Sequence, residues 1–461
     1  MKIQIVFKHN LVAVTILLLF LFVFKVSFAL ESPGLSLIGK EDRILIFAPH
    51  PDDEAIGTAG VIQKALKAGA KVKIVCYTNG DNNEIAFIVY EKRLTFKKRE
   101  FLHMGEVRRK ETLMAMDSLG LSQNNIISLG YPDFGTMEIL TKYWGDTKPF
   151  RSMFARTNQV SYPEAMSPNA PYVGESILKD LKKIIFDFKP THIFVSHPAD
   201  KNRDHRSLYL FLQVALWDLE KQIKQPEIFP YIIHIIGWPM PRGYHPELEL
   251  DPPEKLNNNA ILWQKLELTQ EEIEAKRKAT SFYKSQIECD PPYLFTFARK
   301  NELFGNFPVI KLKKEKPGEI YWQYLKIGKD NEEVKKDDTK DQADRITTLA
   351  YAINNNSLLI KLTSNRKRLR LAVYLLGYNK KIDFAKMPKI NLAVDRGGLH
   401  IKDKKQTLFI KDAQLHYNGK NEAVIKVSLA TLGNPDYILS CTMQPVDLSL
   451  DEMSWRILQL E

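Results

Sequence analysis

Between residues 43 and 236 short apolar runs alternate with amphipathic helical patterns, and that alternation restricts the chain to βαβ units in a mostly parallel sheet. Strands are expected over 44–48, 72–78, 126–129, 192–196 and 231–236, and helices over 55–68, 107–119, 174–188 and 204–221. The stops are chemically sensible, since Gly120 can take the left-handed conformation that closes a helix and Pro190 cannot continue one. The fold class is therefore α/β, Rossmann-like, with helices on both faces of the sheet. A further helix is expected over 268–284, with Thr269 as N-cap and Glu271 and Glu272 in its first turn.

With 461 residues and 44% hydrophobic content, the chain can bury more than one core. Residues 311–345 are dominated by Lys, Glu and Asp and read as a charged linker, including the cluster 335–340. Beyond residue 346 short runs at 358–362, 369–376, 408–410, 422–428 and 437–442 suggest an antiparallel β-sandwich, with Trp455 in its core. The expected organisation is thus a leader at 1–29, an α/β domain at 41–310, the linker, and a β domain at 346–461. Two long irregular stretches, 81–104 and 132–172, follow strand ends, where loops shape pockets. Their aromatic and basic residues, Arg93, Phe96, Lys97, Lys98 and Phe101, then Tyr143, Trp144, Phe150, Arg151 and Phe154, either line such a pocket or pack beneath a loop.

The amino terminus carries Lys2 and Lys8, an apolar run at 11–24, then Lys25 and Ser27-Phe28-Ala29. The run is short for a membrane span and ends in a small-x-small pattern, so it reads as a secretory signal cleaved after Ala29. An uncleaved membrane tether through residues 11–24 is the competing reading, and either one exports the protein. Cys76, Cys289 and Cys441 are too widely spaced for a disulfide framework or a CxxC zinc site. The net charge of +11 suits an anionic cell-surface polysaccharide or a lysine-rich solvated surface; no nucleic-acid motif is present.

Chemistry is concentrated at two strand ends. The run 44–47 leads into His50-Pro51-Asp52-Asp53-Glu54, and the run 192–196 leads into His197-Pro198-Ala199-Asp200-Lys201-Asn202-Arg203-Asp204-His205. If the two strands are neighbours, His50, Asp53 and His205 converge as two imidazoles and a carboxylate, a catalytic zinc set that other divalent metals also fit. A carboxylate beside such a cation can take a proton from water, and Asp52 is chosen for that base, although spacing alone does not say which of Asp52 and Asp53 ligates. Asp204 either orients an imidazole through its second nitrogen or caps a helix, and Asp200 organises the loop. His103, His400 and His416 are isolated. His234 and His245 flank Gly237-Trp238-Pro239 and could approach the pocket from its rim.

These motifs resemble those of the PIG-L, or LmbE-like, metal-dependent N-deacetylases, over roughly residues 43–305. Thr78-Asn79-Gly80-Asp81, Arg108-x-x-Glu111 with Leu119-Gly120, and Tyr131-Pro132-Asp133 add to the likeness, as do Ser285-Gln286 and residues 299–304. The resemblance implies that His50, Asp53 and His205 ligate zinc, that Asp52 is the general base, and that Arg108 and Asp133 contact a sugar. Many members carry a histidine at the position of Asn202, where it stabilises an oxyanion. An amide still donates a hydrogen bond but cannot supply a proton, so protonation of the leaving amine falls to Asp52, with His197 as a substitute. The implied activity is zinc-dependent removal of acetyl from an N-acetylated amino sugar or glycan. A glycan-binding protein without turnover and an amidase acting on a sugar conjugate are the alternatives.

Overall fold

Residues 44–48 are fully buried because the strand alternates its side chains between two cores. Leu45 and Phe47 enter one core, Ile44 and Ile46 the other. A computed structural model describes residues 38–82, 97–145, 147–257, 260–313, 319–326, 346–364, 370–395, 398–401, 413–419, 421–443 and 454–461. The expected leader and tether, Arg93, Phe96, the 335–340 cluster and the 408–410 strand lie outside the described residues. Among the described residues no helix is long and apolar enough to cross a membrane.

The α/β sheet contains β1 (Arg43–Ala48), β2 (Lys71–Thr78), β3 (Ile126–Tyr131), β4 (His192–Ser196), β5 (Glu227–Tyr231), β6 (Trp263–Glu267) and β7 (Asn301–Gly305), in the order β3-β2-β1-β4-β5-β7-β6. The first five pair in parallel, and β7 and β6 add antiparallel at one edge. Helices Gly174–Phe188 and Arg203–Asp218 cover one face. Helices Asp53–Ala68, Lys98–Ser118 and Gln270–Thr280 cover the other. Because β1 is flanked by β2 and β4, the strand order reverses beside it. The crevice outside the carboxyl ends of β1 and β4 is the topological switch point, where open α/β sheets bind ligands.

Two departures from the expected elements bear on that crevice. The strand expected at 231–236 lies instead at Glu227–Tyr231 and stops there, because the N–H groups of Ile233 and His234 donate to the Asp200 carboxylate, at 3.0 and 2.9 Å, instead of to a neighbouring strand. The helix expected from residue 107 begins at Lys98, where Phe101 and Met104 bury against Phe154 and Ala155. Phe101 and Phe154 stack at 4.9 Å, and Trp144 joins the main core, so these loop aromatics pack under the loops instead of lining a pocket. Thr269 does cap its helix, accepting the Glu272 N–H at 3.3 Å.

The carboxyl-terminal sheets are antiparallel apart from one edge pairing. One has the order β15-β16-β11-β10-β9, the other β14-β13-β12-β17-β18-β8. Their ranges are β8 (Ile310–Leu312), β9 (Gln323–Lys326), β10 (Ile346–Asn354), β11 (Ser357–Ser364), β12 (Leu371–Tyr378), β13 (Lys389–Asp395), β14 (Gly398–Ile401), β15 (Ala413–Asn418), β16 (Glu422–Ser428), β17 (Tyr437–Met443) and β18 (Arg456–Leu460). The two inner faces enclose an aliphatic core, so the unit is a sandwich. Its outermost strands reach into the stretch expected to be linker: β8 pairs in parallel with β18, and β9 pairs with β10. Short charged edge strands lack the alternation that marks interior ones.

The sandwich shares a core with the α/β domain. Leu376, Tyr378, Phe384, Leu439 and Trp455 belong to the same apolar cluster as Trp144, Phe211 and Leu216. Trp217 stacks on Tyr437 at 4.4 Å, and the Tyr378 hydroxyl donates to Asp218 at 3.1 Å. An interface built like an interior couples the stabilities of its two sides. Heat should therefore unfold both domains in a single calorimetric transition. Leu439→Ala, at a fully buried position, should lower the stability of the whole by about 2–5 kcal/mol. Two separated transitions, with only one moved by the substitution, would contradict the shared core.

Candidate active site

The parallel pairing of β1 with β4, Ile44 opposite His192 and Ile46 opposite Phe194, sets the two strand ends side by side. After β1 the chain turns through Pro49 to Asp52 and enters helix Asp53–Ala68 at once. His50, Asp52 and Asp53 are thereby all held at the mouth of the crevice. Asp52 has φ 124°, a conformation L residues rarely adopt. Glu54 fixes it there, accepting the Asp52 N–H at 3.1 Å while receiving the Tyr283 hydroxyl at 2.6 Å.

His50, Asp53 and His205 meet. His205 Nε2 lies 3.1 Å from Asp53 Oδ2 and 3.3 Å from His50 Nδ1, and His50 Nδ1 is 3.4 Å from Asp53 Oδ2. A fourth donor joins them: ligand atoms of His50, Asp53, His205 and His234 all lie within 4.8 Å of one another. Two imidazoles and a carboxylate, buried and aimed at one point with a third imidazole beside them, fit a borderline divalent cation.

Behind the donors, the imidazoles of His50 and His205 have acidic partners, while His234 Nδ1 lies 3.2 Å from the Tyr293 hydroxyl. Asp204 Oδ2 lies 3.4 Å from His50 Nε2, and Asp133 Oδ1 lies 3.2 Å from the same nitrogen. Asp204 also accepts the backbone N–H groups of Phe134 and Thr136, at 2.6 and 3.2 Å, and the Thr136 hydroxyl. It thus serves His50, while Asp200 Oδ2, 3.3 Å from His205 Nδ1, serves His205. The helix cap is neither acid. Asn202 caps helix Arg203–Asp218, its Oδ1 accepting the Asp204 N–H at 2.8 Å, and it lines the cleft.

Arg108 reaches the site from helix Lys98–Ser118, donating to Pro51 O at 2.8 Å and to Gly80 O at 3.1 Å, with Nη2 3.3 Å from Asp52 Oδ2. Gly80, at φ +63°, makes room for it, since a Cβ there would lie 1.9 Å from Arg108 Nη1. Asp133 accepts the Asn82 N–H at 3.1 Å and lines the cleft with Arg108. The cleft, of about 230 Å³, is walled further by Ile56, Phe134, Gln286, Cys289, Asp290 and Tyr293. His245 is not in the cluster; it lies 3.3 Å from Glu247 near the surface. His197 is buried, stacked on Trp263 at 5.7 Å with Nδ1 accepting the Ala199 N–H, so it cannot stand in at the site.

Proximity of so many ionisable groups splits their proton affinities. Burial drives Asp52 up to about 8, against the pull of Arg108 and with the push of Asp53. Burial works the same way on Asp53, but His205 and His50 overcome it and hold that carboxyl well below its ordinary value. For His205, burial favours the neutral form and is overridden by Asp200 and Asp53, giving about 9. His234 goes the other way: burial dominates and lowers it to about 4, leaving a neutral ring near pH 7. A cation bound among these groups opposes protonation of every one of them.

His234 and Asp200 are the residues whose part was least legible in the sequence. His234, expected at the rim of the pocket from its place before Gly237-Trp238-Pro239, lies in the donor cluster itself, and the apolar run before it resembles a strand. The family model described as PIG-L: GlcNAc-PI de-N-acetylase matches residues 45–216. The 1D-myo-inositol 2-acetamido-2-deoxy-alpha-D-glucopyranoside deacetylase of Kineococcus radiotolerans is 32% identical over 109 residues, 23% of this chain and 28% of that protein. The N-acetylglucosaminyl-phosphatidylinositol de-N-acetylase of Bos taurus is 27% identical over 104 residues, 23% of this chain and 33% of that protein. The chain thus spans about a third or less of the curated relatives it matches. Among solved structures, the N,N'-diacetylchitobiose deacetylase from Pyrococcus horikoshii is 20% identical and covers 59% of this chain and 85% of its own, with a TM-score of 0.37.

Two outcomes follow for metal binding. With His205 near 9, the metal-free protein carries a proton there at pH 7 that a cation must displace. Calorimetry in buffers of different ionisation enthalpy should show proton release on zinc binding, and affinity should rise with pH up to about 9. Asp200→Asn should weaken zinc binding about 10–100-fold, because it loosens both His205 and the His234 segment; unchanged affinity would remove Asp200 from the site.

Proposed function

We propose, on the premise that residues 45–216 are a PIG-L domain, that this chain is an exported, zinc-dependent hydrolase that removes the acetyl group from an N-acetylated amino sugar or glycoconjugate. The observation that carries the reading is the buried set His50, Asp53 and His205, joined by the half-buried His234, with Asp52 beside it in the cleft. A divalent cation held there supplies Lewis acidity, acidifying water and polarising the acetamide carbonyl. The chain does the rest. Asp52, positioned by Arg108, accepts the proton as water attacks the carbonyl carbon, then returns it to the nitrogen as the C–N bond breaks, giving acetate and a free amine.

Asn202 faces the cleft with its Oδ1 engaged at the helix cap, leaving its amide N–H groups to donate to the developing oxyanion. Asp204 acts through His50 and is a positioning residue. Arg108 and Asp133, both lining the cleft, are assigned to sugar hydroxyls, the parts of Arg108 facing Asp52 and Gly80 excepted. Export rests on the apolar run at 11–24 and the small-x-small pattern ending at Ala29. The base placed beside the four-donor cluster supports turnover over glycan binding alone.

Acetate release from N-acetylglucosamine-containing substrates tests this directly. Asp52→Asn should slow it about 10²–10⁴-fold with zinc content retained. His205→Ala should lose both zinc and activity, and Asn202→Ala should cost roughly 10²-fold. Undiminished release by Asp52→Asn would sink the assignment of the base.

A further inference from the structure

The segment leaving β5 builds a second cavity of about 320 Å³, which shares His234, Asp290 and Tyr293 with the catalytic cleft. The cleft by itself, at about 230 Å³, is smaller than the ~300–1,000 Å³ of ordinary small-molecule sites, whereas the two spaces joined fall within that range.

This second space is a constructed groove. Arg299, only 4% exposed, directs its guanidinium at carbonyls of the surrounding chain: Pro241 O at 2.8 Å, Glu249 O at 3.1 Å and Thr296 O at 2.9 Å. Asn301 exchanges two hydrogen bonds with the Leu250 backbone, at 2.8 and 3.0 Å, and Thr296 Oγ1 accepts the Gly243 N–H at 2.9 Å. A buried cation committed to holding one loop in place fixes the shape of what that loop encloses.

The lining has the chemistry of a sugar site. Trp238 spends its indole N–H on Asp251 O at 2.8 Å, so its ring, not a donor, is what it offers. Ile236 and Met240, 46% and 61% exposed, form an apolar lip. Arg242 is paired with Asp290 at 3.2 Å and lies over the Tyr293 ring at 5.2 Å. A guanidinium already neutralised by a carboxylate offers donors and acceptors together, which matches hydroxyl groups better than it matches an anion.

We infer that this groove is a glycosyl subsite that takes the sugar residue joined to the N-acetylated one, so that the substrate is an oligosaccharide or a conjugate carrying a second sugar. This rests on the reading that the cleft holds the N-acetylated residue.

The zinc-loaded full chain should be assayed for acetate release from N-acetylglucosamine, its β-linked disaccharide and N-acetylglucosamine 1-phosphate. Wild type should prefer the disaccharide by about tenfold or more in kcat/KM, and Trp238→Ala should collapse the disaccharide-to-monosaccharide ratio toward one. Trp238→Phe, which keeps an aromatic face, should retain most of the preference, and together with Arg242→Ala it carries the test if the alanine variant does not fold. Calorimetric binding of the same sugars to Asp52→Asn supplies a readout independent of turnover. Tighter, Trp238-dependent disaccharide binding without acetate release from any sugar would uphold the groove while removing the deacetylase reading. Equal handling of monosaccharide and disaccharide, in turnover and in binding, would overturn the groove. So would an Arg242-dependent preference for the 1-phosphate.

Discussion

Burial of acidic side chains at one end of the sheet is the constraint around which this protein is organised. Asp52, Asp53, Glu54, Asp133, Asp200 and Asp204 are each no more than 8% exposed, and a carboxylate out of water is tolerated only when charge or hydrogen bonds answer it. Here the answers come from His50, His205 and Arg108, and from backbone N–H groups of the loops themselves. Each acid therefore dictates the path of a segment. Asp204 ties down the turn after β3, and Asp200 diverts the chain after β5. The surplus of negative charge that remains is what a divalent cation would neutralise.

Asp200 shows how one buried group does two things. Its carboxylate faces His205 Nδ1 and also receives the N–H groups of Ile233 and His234. A run of apolar residues that would extend a strand is thus turned out of the sheet. The same diversion delivers His234 to the donor cluster and opens the groove bounded by Trp238 and Arg242. Site and groove share a cause, which is why His234 lines both.

The sandwich contributes differently. Its contact with the α/β domain lies on the face covered by helices Gly174–Phe188 and Arg203–Asp218, and it buries Trp144 and packs on Trp217. Helix Arg203–Asp218 carries Asp204 and His205 at its first turn and meets the sandwich at its last, where Asp218 accepts from Tyr378. The β domain thus braces the element that presents one of the imidazoles of the donor cluster.

What the amino-acid sequence determined by itself was local. Apolar runs bounded by turn residues specify β1, β2 and β4 and the helices between them, because periodicity reports which side chains must leave water. The composition of the two strand-end motifs likewise identifies His50, Asp52, Asp53 and His205 as a set. Tertiary structure decided the rest. That Asp204 serves His50 and Asp200 serves His205, that Asn202 takes the helix cap, and that His234 enters the cluster all depend on contacts between residues far apart in the chain. So does the membership of β8 and β9 in the sandwich, since edge strands bury too little to leave a periodic trace. Hydrogen bonds from loop backbone to buried carboxylates have no signature in residue order, because any non-proline residue can donate them.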